Sequence, residues 1–142
     1  DFLKVNTFPN TVVESNASIE IDKMPELYVY ESEFSQLFQN LITNAIKFQK
    51  KGSQPKIKIK SEKLNTKWKF SVSDNGIGIA SKDFEKIFGI FQRLHKDEDY
   101  KGHGIGLSFC RKIVQLHKGE IWVESAIGQG TTFYFTIANL KG

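Results

Sequence analysis

The chain has little of what small domains use when a hydrophobic core is not enough. Among 142 residues there is one cysteine, Cys110, so no intrachain disulfide can form, and no Cys/His cluster has metal-ligand spacing. The simplest setting for such a chain is a reducing cytosol. Cys110 lies in the apolar-rich run Leu107–Leu116, where a thiol reads as buried filler rather than a nucleophile. No run of ~18 apolar residues is present, which leaves no membrane span, and the first residues lack the charged-then-apolar pattern of a secretory signal. The expectation is a soluble, cytoplasmic domain without direct membrane contact. The opening "DFLKVN" includes no initiator methionine, as expected of a piece of a longer protein whose other parts are free to be membrane-anchored. Internal repeats and low-complexity tracts are also lacking.

What is present fits one compact domain: 39% of the residues are hydrophobic and 13% aromatic, enough for a core that needs no staples. The net charge is +4, and lysines crowd into "KKGSQPKIKIKSEKLNTKWK". In "KIKIK", however, Lys56, Lys58 and Lys60 alternate with Ile57 and Ile59, the period of a half-buried strand. These lysines read as a solvated face guarding a strand edge. No aromatic stacking pattern is interleaved with them, so nucleic acid is not expected as a partner.

Periodicity gives the elements. "ASIEI" and "ELYVY" read as short strands, separated by a turn at Pro25. From Glu33 to about Lys50, Phe34, Leu37, Phe38, Leu41, Ile42, Ala45 and Ile46 form one apolar helical stripe, with Ser32 as candidate N-cap. "QPKIKIKSEK" and "KWKFSVSD" alternate as two strands that turn near Asn65. "SKDFEKIFGIF" reads as a short helix capped by Ser81, with Phe84, Ile87 and Phe88 on one side. The charged stretch between Gln92 and Gly104 has no period and reads as a loop. "LSFCRKIVQLH" is helical and stops at Gly119, a suitable C′ residue; "EIWVES" and "TTFYFTIA" complete the strands. The class is α/β with a mixed sheet.

Three features carry chemistry. "SDNGIGI", Ser73 to Ile79, closes a strand with an acid, an amide and two glycines, and alone it reads as a turn. On the face of the long helix opposite its stripe, Asn40, Asn44 and Lys47 fall within roughly 60° at ~100° per residue. Asparagine is a mediocre helix former, so this row is either a polar solvated face or a site where amide oxygens meet a hard cation and a lysine meets phosphate. In "GHGIGL", Gly102, Gly104 and Gly106 feed a helix N-terminus, which offers free N–H groups to an anion. The spacing is neither the dinucleotide fingerprint nor a P-loop.

Taken in order, "NLITNAIKF", "DNGIGI", "IFGIFQRL", "GHGIGL" and "GQGTTF" closely resemble the N, G1, F, G2 and G3 boxes of the catalytic ATP-binding domain of sensor histidine kinases. The match runs from about Ala17 to Ile137, and "FQRLH" and "GEIWVES" look most like the subgroup of phytochrome-like and multi-sensor hybrid kinases. The resemblance implies the Bergerat fold, a two-layer α/β sandwich with a mixed sheet of about five strands under three helices. It places residues 17–142 in that domain and leaves 1–16 as a lead-in from a dimerisation domain, shorter than the helix the family usually has there.

It also implies roles. Asn44 with Asn40 would hold Mg2+ on the phosphates of ATP, Lys47 would touch phosphate, and Phe48 would lie against adenine. Asp74 would accept the adenine amino proton, Gly76 and Gly78 would let the backbone pass close to the base, and Ile79 would be an apolar wall. Thr131 would join Asp74 in a water-mediated contact; Gly102, Gly104 and Gly106 would form the phosphate-side hinge of a lid, Leu107 would be a nucleotide-binding residue, and Arg93 would touch phosphate. Phe88 and Phe91 read equally as core or partner-facing residues and as functional ones.

Topoisomerases, mismatch-repair ATPases and chaperones share this fold but hydrolyse ATP with a glutamate one helical turn before the metal-binding asparagine. Asn40 holds that place here, and an amide is not a general base at neutral pH. The expected activity is therefore γ-phosphate transfer to a histidine on a separate dimerisation domain of the same or a sister chain, upstream of a response-regulator receiver. The rivals are an ATP-hydrolysing conformational machine and a docking module that binds no nucleotide. The acceptor box is absent: His95, His103 and His117 read as loop or cap residues. This domain alone is expected to be monomeric, and the full-length protein a homodimer.

Overall fold

A computed structural model describes residues 2–5, 18–22, 24–49, 52–88 and 105–138. Seven strands occur among them: β1 (Phe2–Val5), β2 (Ser18–Ile21), β3 (Leu27–Tyr30), β4 (Lys56–Leu64), β5 (Lys67–Asp74), β6 (Ile121–Ser125) and β7 (Thr131–Ala138). The α-helices are α1 (Glu31–Lys47) and α2 (Ile105–Leu116). Five strands form one mixed sheet in the order β2-β4-β5-β7-β6, where β2 runs parallel to β4 and the other pairs are antiparallel. β1 and β3 make a separate antiparallel ribbon.

Strand alternation decides which side of the sheet is covered. Ile57 and Ile59 of β4, Phe70 and Val72 of β5, and Phe133, Phe135 and Ile137 of β7 face one way and are buried. Against them lie Phe34, Leu37, Phe38, Leu41, Ile42 and Ala45 of α1 together with Cys110, Ile113 and Val114 of α2. Phe38 sits edge-on to Phe70 and Phe135, which stack on each other with ring centroids 5.2 Å apart. The expected apolar stripe of α1 is thus the helix-to-sheet interface. Cys110 is buried as expected, and burial pushes its thiol up to about 12. No helix among the described residues is long and apolar enough to cross a membrane.

Several local expectations need correction. The lysines of "KIKIK" are exposed, but β4 lies between β2 and β5, so they cover the open face of the sheet and do not guard an edge. There Lys58 pairs with Glu20 at 3.3 Å. Within the expected lead-in, "FLKV" forms β1. α1 begins one residue before Ser32, directly after Tyr30, and no side chain caps it; Glu31 and Glu33 supply the negative charge that its first turn favours. The segment read as a helix from Ser81 is two short 3-10 turns, Ser81–Asp83 and Lys86–Phe88, and Ala80 holds the cap position. Ile87 and Phe88 are still buried, so the apolar pattern was right and the helix period was not.

The end of α2 differs too. The N–H of Gly119 bonds to the Val114 carbonyl at 2.9 Å and that of Lys118 to Gln115 at 3.0 Å, a Schellman closure in which C′ is Lys118 at φ 60°. Gly119 is needed for another reason, since a Cβ there would stand 1.7 Å from the Thr136 carbonyl oxygen. A left-handed lysine is strained by about 1–2 kcal/mol, partly offset by the greater unfolded freedom of glycine. Lys118→Gly is expected to raise stability by about 0.5–1 kcal/mol, visible as a higher urea midpoint with unchanged slope.

His117 is fully buried and joins this helix end to the start of α1. The Tyr30 N–H donates to its Nε2 at 3.0 Å, so the ring proton sits on Nδ1, which donates to the Ile113 carbonyl at 2.8 Å. Burial lowers its pKa and keeps it neutral, a structural linker where the sequence suggested only cap chemistry.

Candidate functional site

The strand registers assemble the site. Asp74, the last residue of β5, is paired with Thr131, the first of β7, and Thr131 is paired with Ser125, the last of β6. Three polar residues therefore form a row across the end of the sheet, on the inward side where apolar residues otherwise stand. Spacing along the chain does not reveal this row, because it depends on which strands are neighbours.

Asp74 is the centre of it. Its Oδ1 accepts the Gly76 N–H at 2.8 Å, closing an Asx turn, and the Thr131 N–H at 3.3 Å. Oδ2 takes no hydrogen bond from the described residues. Burial raises the pKa of this carboxyl from 3.8 to about 6, against the lowering effect of the two backbone N–H groups. At neutral pH the group is an ionised, desolvated acceptor with one oxygen committed to the backbone and one left for a ligand. So "DNG" is a turn, and the turn aims the acid.

The loop after Asp74 is fixed on every side. The Ile77 N–H donates to the Phe48 carbonyl at 3.0 Å, the Gly128 N–H to the Ile77 carbonyl at 2.8 Å, and the Ile79 N–H to Ser125 Oγ at 2.7 Å. Asn75 turns away from Asp74: its Oδ1 accepts the Lys56 N–H and its Nδ2 donates to the Gln54 carbonyl. Gly76 is required because a Cβ would meet the Phe48 carbonyl oxygen at 2.3 Å. Gly78 has φ +81° and would meet the Ala126 carbonyl oxygen at 2.1 Å.

These contacts bring the C-terminal end of α1 against the loop. Phe48, the C-cap of α1, is half-buried; Asn44 and Asn40 are half-buried one and two turns earlier, and Lys47 is exposed. Asn40 Oδ1 accepts from Gln36 Nε2 at 2.7 Å, and Asn40 also bonds the Cys110 thiol. The side chains of Asn44 and Lys47 make no hydrogen bond or ion pair among the described residues. Ile79 packs against the core, and Thr131 is buried with its Oγ1 2.8 Å from Ser125 Oγ. Gly106 falls in the first turn of α2, and Leu107 is buried in the core cluster, where its side chain serves packing. Arg93, Phe91, His95, Gly102, His103 and Gly104 lie outside the described residues.

Sequence reasoning missed Ser125. Its signal was available: along β6 the inward positions are Ile121, Val123 and Ser125, and the last breaks an apolar row with a hydroxyl.

A family profile described as histidine kinase-, DNA gyrase B- and HSP90-like ATPase matches residues 30–140, and the chain belongs to that family. Over 126 residues it is 50% identical to cyanobacterial phytochrome A of Nostoc sp. strain PCC 7120, covering 89% of this chain and 16% of that protein. It is 34% identical to the nucleotide-free catalytic domain of the histidine kinase ThkA, with a TM-score of 0.73 over 92% of this chain and 84% of that one. Full-length ShkA in complex with AMPPNP is 25% identical, with a TM-score of 0.73 over 90% of this chain and 27% of ShkA. Within the family the chain is a catalytic, ATP-binding domain of the histidine kinase type, with the mixed five-stranded α/β fold that was expected. It spans about a sixth of the length of the phytochromes it matches.

Proposed function

We propose that this domain holds ATP with Mg2+ in the cleft between the end of α1 and the Asp74 loop, and transfers the γ-phosphate to a histidine on a separate dimerisation domain. The observation that carries the reading is Asp74: a buried carboxylate with Oδ1 saturated by two backbone N–H groups and Oδ2 left to accept the adenine amino group. Gly76 and Gly78 let the loop pass beside the base, with Ile79 and Phe48 as its apolar walls and Thr131 next to Asp74. Lys47 would meet phosphate as a point charge.

The donors on α1 suit Mg2+ brought in by the nucleotide. The described residues hold no group of three or more His, Cys, Asp or Glu able to make an all-protein metal cage, whereas Mg2+ shared with phosphates needs few protein oxygens. Asn44, whose amide has no other engagement among the described residues, would supply the first oxygen and Asn40 the second. The ion would neutralise charge on the phosphates. In the transfer an N–P bond to the histidine forms, the bond from Pγ to the bridging oxygen breaks, and ADP leaves. Arg93 would touch phosphate and Gly102, Gly104 and Gly106 would form the phosphate-side hinge of a lid, residues 17–142 being the domain and 1–16 its lead-in. This domain would work in the cytoplasm, and in the whole protein, as a homodimer, the phosphate would pass on to a response-regulator receiver.

Asn40 in place of an acid supports transfer over hydrolysis. The chain, labelled ATP and a separately supplied histidine-bearing dimerisation domain from a relative are to be mixed. Acid-labile phosphate on the acceptor, and none on this chain alone, is the expected result. Steady phosphate release without an acceptor would support the conformational-machine reading instead.

A further inference from the structure

We propose that Ser125 is a positioning residue that sets the preference of this site for a 6-amino purine, an inference that rests on the nucleotide reading above. Ser125 ends β6 with its side chain turned inward, and its hydroxyl meets three partners at once. The Ile79 N–H donates to it at 2.7 Å, it donates to the Gly130 carbonyl at 2.7 Å, and Thr131 Oγ1 lies 2.8 Å away.

A hydroxyl has one hydrogen and two acceptor positions. The hydrogen of Ser125 goes to Gly130 and one lone pair to Ile79, so the contact with Thr131 requires Thr131 to be the donor. With its hydrogen committed, Thr131 Oγ1 is left as an acceptor. Asp74 is paired with Thr131 across the sheet, and with its Oδ1 held by the N–H groups of Gly76 and of Thr131 itself, its carboxylate offers Oδ2 as a second acceptor. Two adjacent acceptors call for a donor on the ligand: an exocyclic amino group fits, and a carbonyl at the same ring position is opposed. Ser125 also ties the Asp74 loop to the start of β7 at Ile79 and Gly130, so the two acceptors stay at a fixed separation.

The test compares ADP with IDP, which presents a 6-oxo group, by calorimetric titration of wild type, Ser125→Ala and Ser125→Thr, with circular dichroism to confirm folding. Wild type should prefer ADP, and Ser125→Ala should lower the ADP-to-IDP affinity ratio ~10-fold, the scale of one hydrogen bond. Ser125→Thr, which keeps the hydroxyl, should restore the ratio to within ~3-fold of wild type. A purely structural serine would weaken both nucleotides alike, so an unchanged ratio in folded Ser125→Ala overturns the inference and leaves the nucleotide site standing. If Ser125→Ala does not fold, Ser125→Cys carries the test: it keeps the volume and weakens the hydrogen bonds, so a fallen ratio supports the inference and an unchanged one overturns it. Wild type that binds neither nucleotide overturns the site reading and this inference together.

Discussion

Asp74→Asn will make the folded domain more stable at neutral pH while depriving it of adenine recognition. Asparagine keeps a carbonyl oxygen for the N–H groups of Gly76 and Thr131, so the loop retains its frame. What it removes is a buried charge. The folded pKa of Asp74, about 6, is raised above its ordinary 3.8, so the stability this group contributes is fully present below 3.8 and lost as the pH rises through 6. That rise corresponds to at most about 3 kcal/mol at neutral pH, reduced by the partial exposure of the carboxyl. The stability gap between variant and wild type should therefore grow from pH 4 to pH 7 in urea melts. In the cleft, an amide N–H2 replaces Oδ2 and faces the adenine amino group donor to donor. Loss of a hydrogen bond to a charged acceptor, about 1.5–3 kcal/mol, predicts affinity for ATP weakened by one to two orders of magnitude. Wild-type affinity should itself fall below pH 6, as protonation turns Oδ2 from acceptor to donor. A residue whose removal helps the fold and harms binding is placed for its chemistry.

Gly130→Ala is expected to lose both properties, and Gly128→Ala to lose little of either. The two glycines share nearly the same backbone, φ +81° and +82°, and differ in what surrounds them. At Gly128 a Cβ meets nothing within 4 Å, so alanine costs only the left-handed strain of about 1–2 kcal/mol. At Gly130 the Cβ would stand 2.1 Å from the Asp74 carbonyl oxygen and 3.2 Å from the Asn75 Cα. Those atoms are backbone, and they carry the acid that the site depends on. Destabilisation of about 3 kcal/mol or more and undetectable ATP binding are expected for Gly130→Ala. Equal losses in the two variants, measured by urea melts and calorimetry, would mean that backbone strain alone matters and the contact with Asp74 does not.

The sequence made the helix and strand faces legible because burial has a period: every apolar residue named in the stripe of α1 through Ala45 is buried against the sheet, and "TTFYFTIA" is β7 residue for residue. Boundaries set by tertiary contacts were harder. α1 starts at a backbone that His117 satisfies from 87 residues away, so no local cap signal marks the true start and Ser32 offers a false one. Lys118 takes the left-handed position because the adjacent Gly119 is needed for its closeness to Thr136. For the site, residue types and motif order singled out Asp74, Gly76, Gly78 and Thr131 as candidates, but the meeting of Asp74, Thr131 and Ser125 is a product of register between β5, β7 and β6. Ser125 escaped notice because a serine near a strand end is unremarkable until its neighbours across the sheet are known.

The central claim is that adenine nucleotide sits at the Asp74 end of the cleft, and amide chemical-shift mapping with ADP tests it most directly. The account predicts saturable shifts concentrated at Gly76, Ile77, Ile79 and Thr131 and along the last turns of α1, absent in Asp74→Asn at the same ADP concentration. Shifts confined to the exposed lysines of β4, or a pattern unchanged by Asp74→Asn, would contradict it.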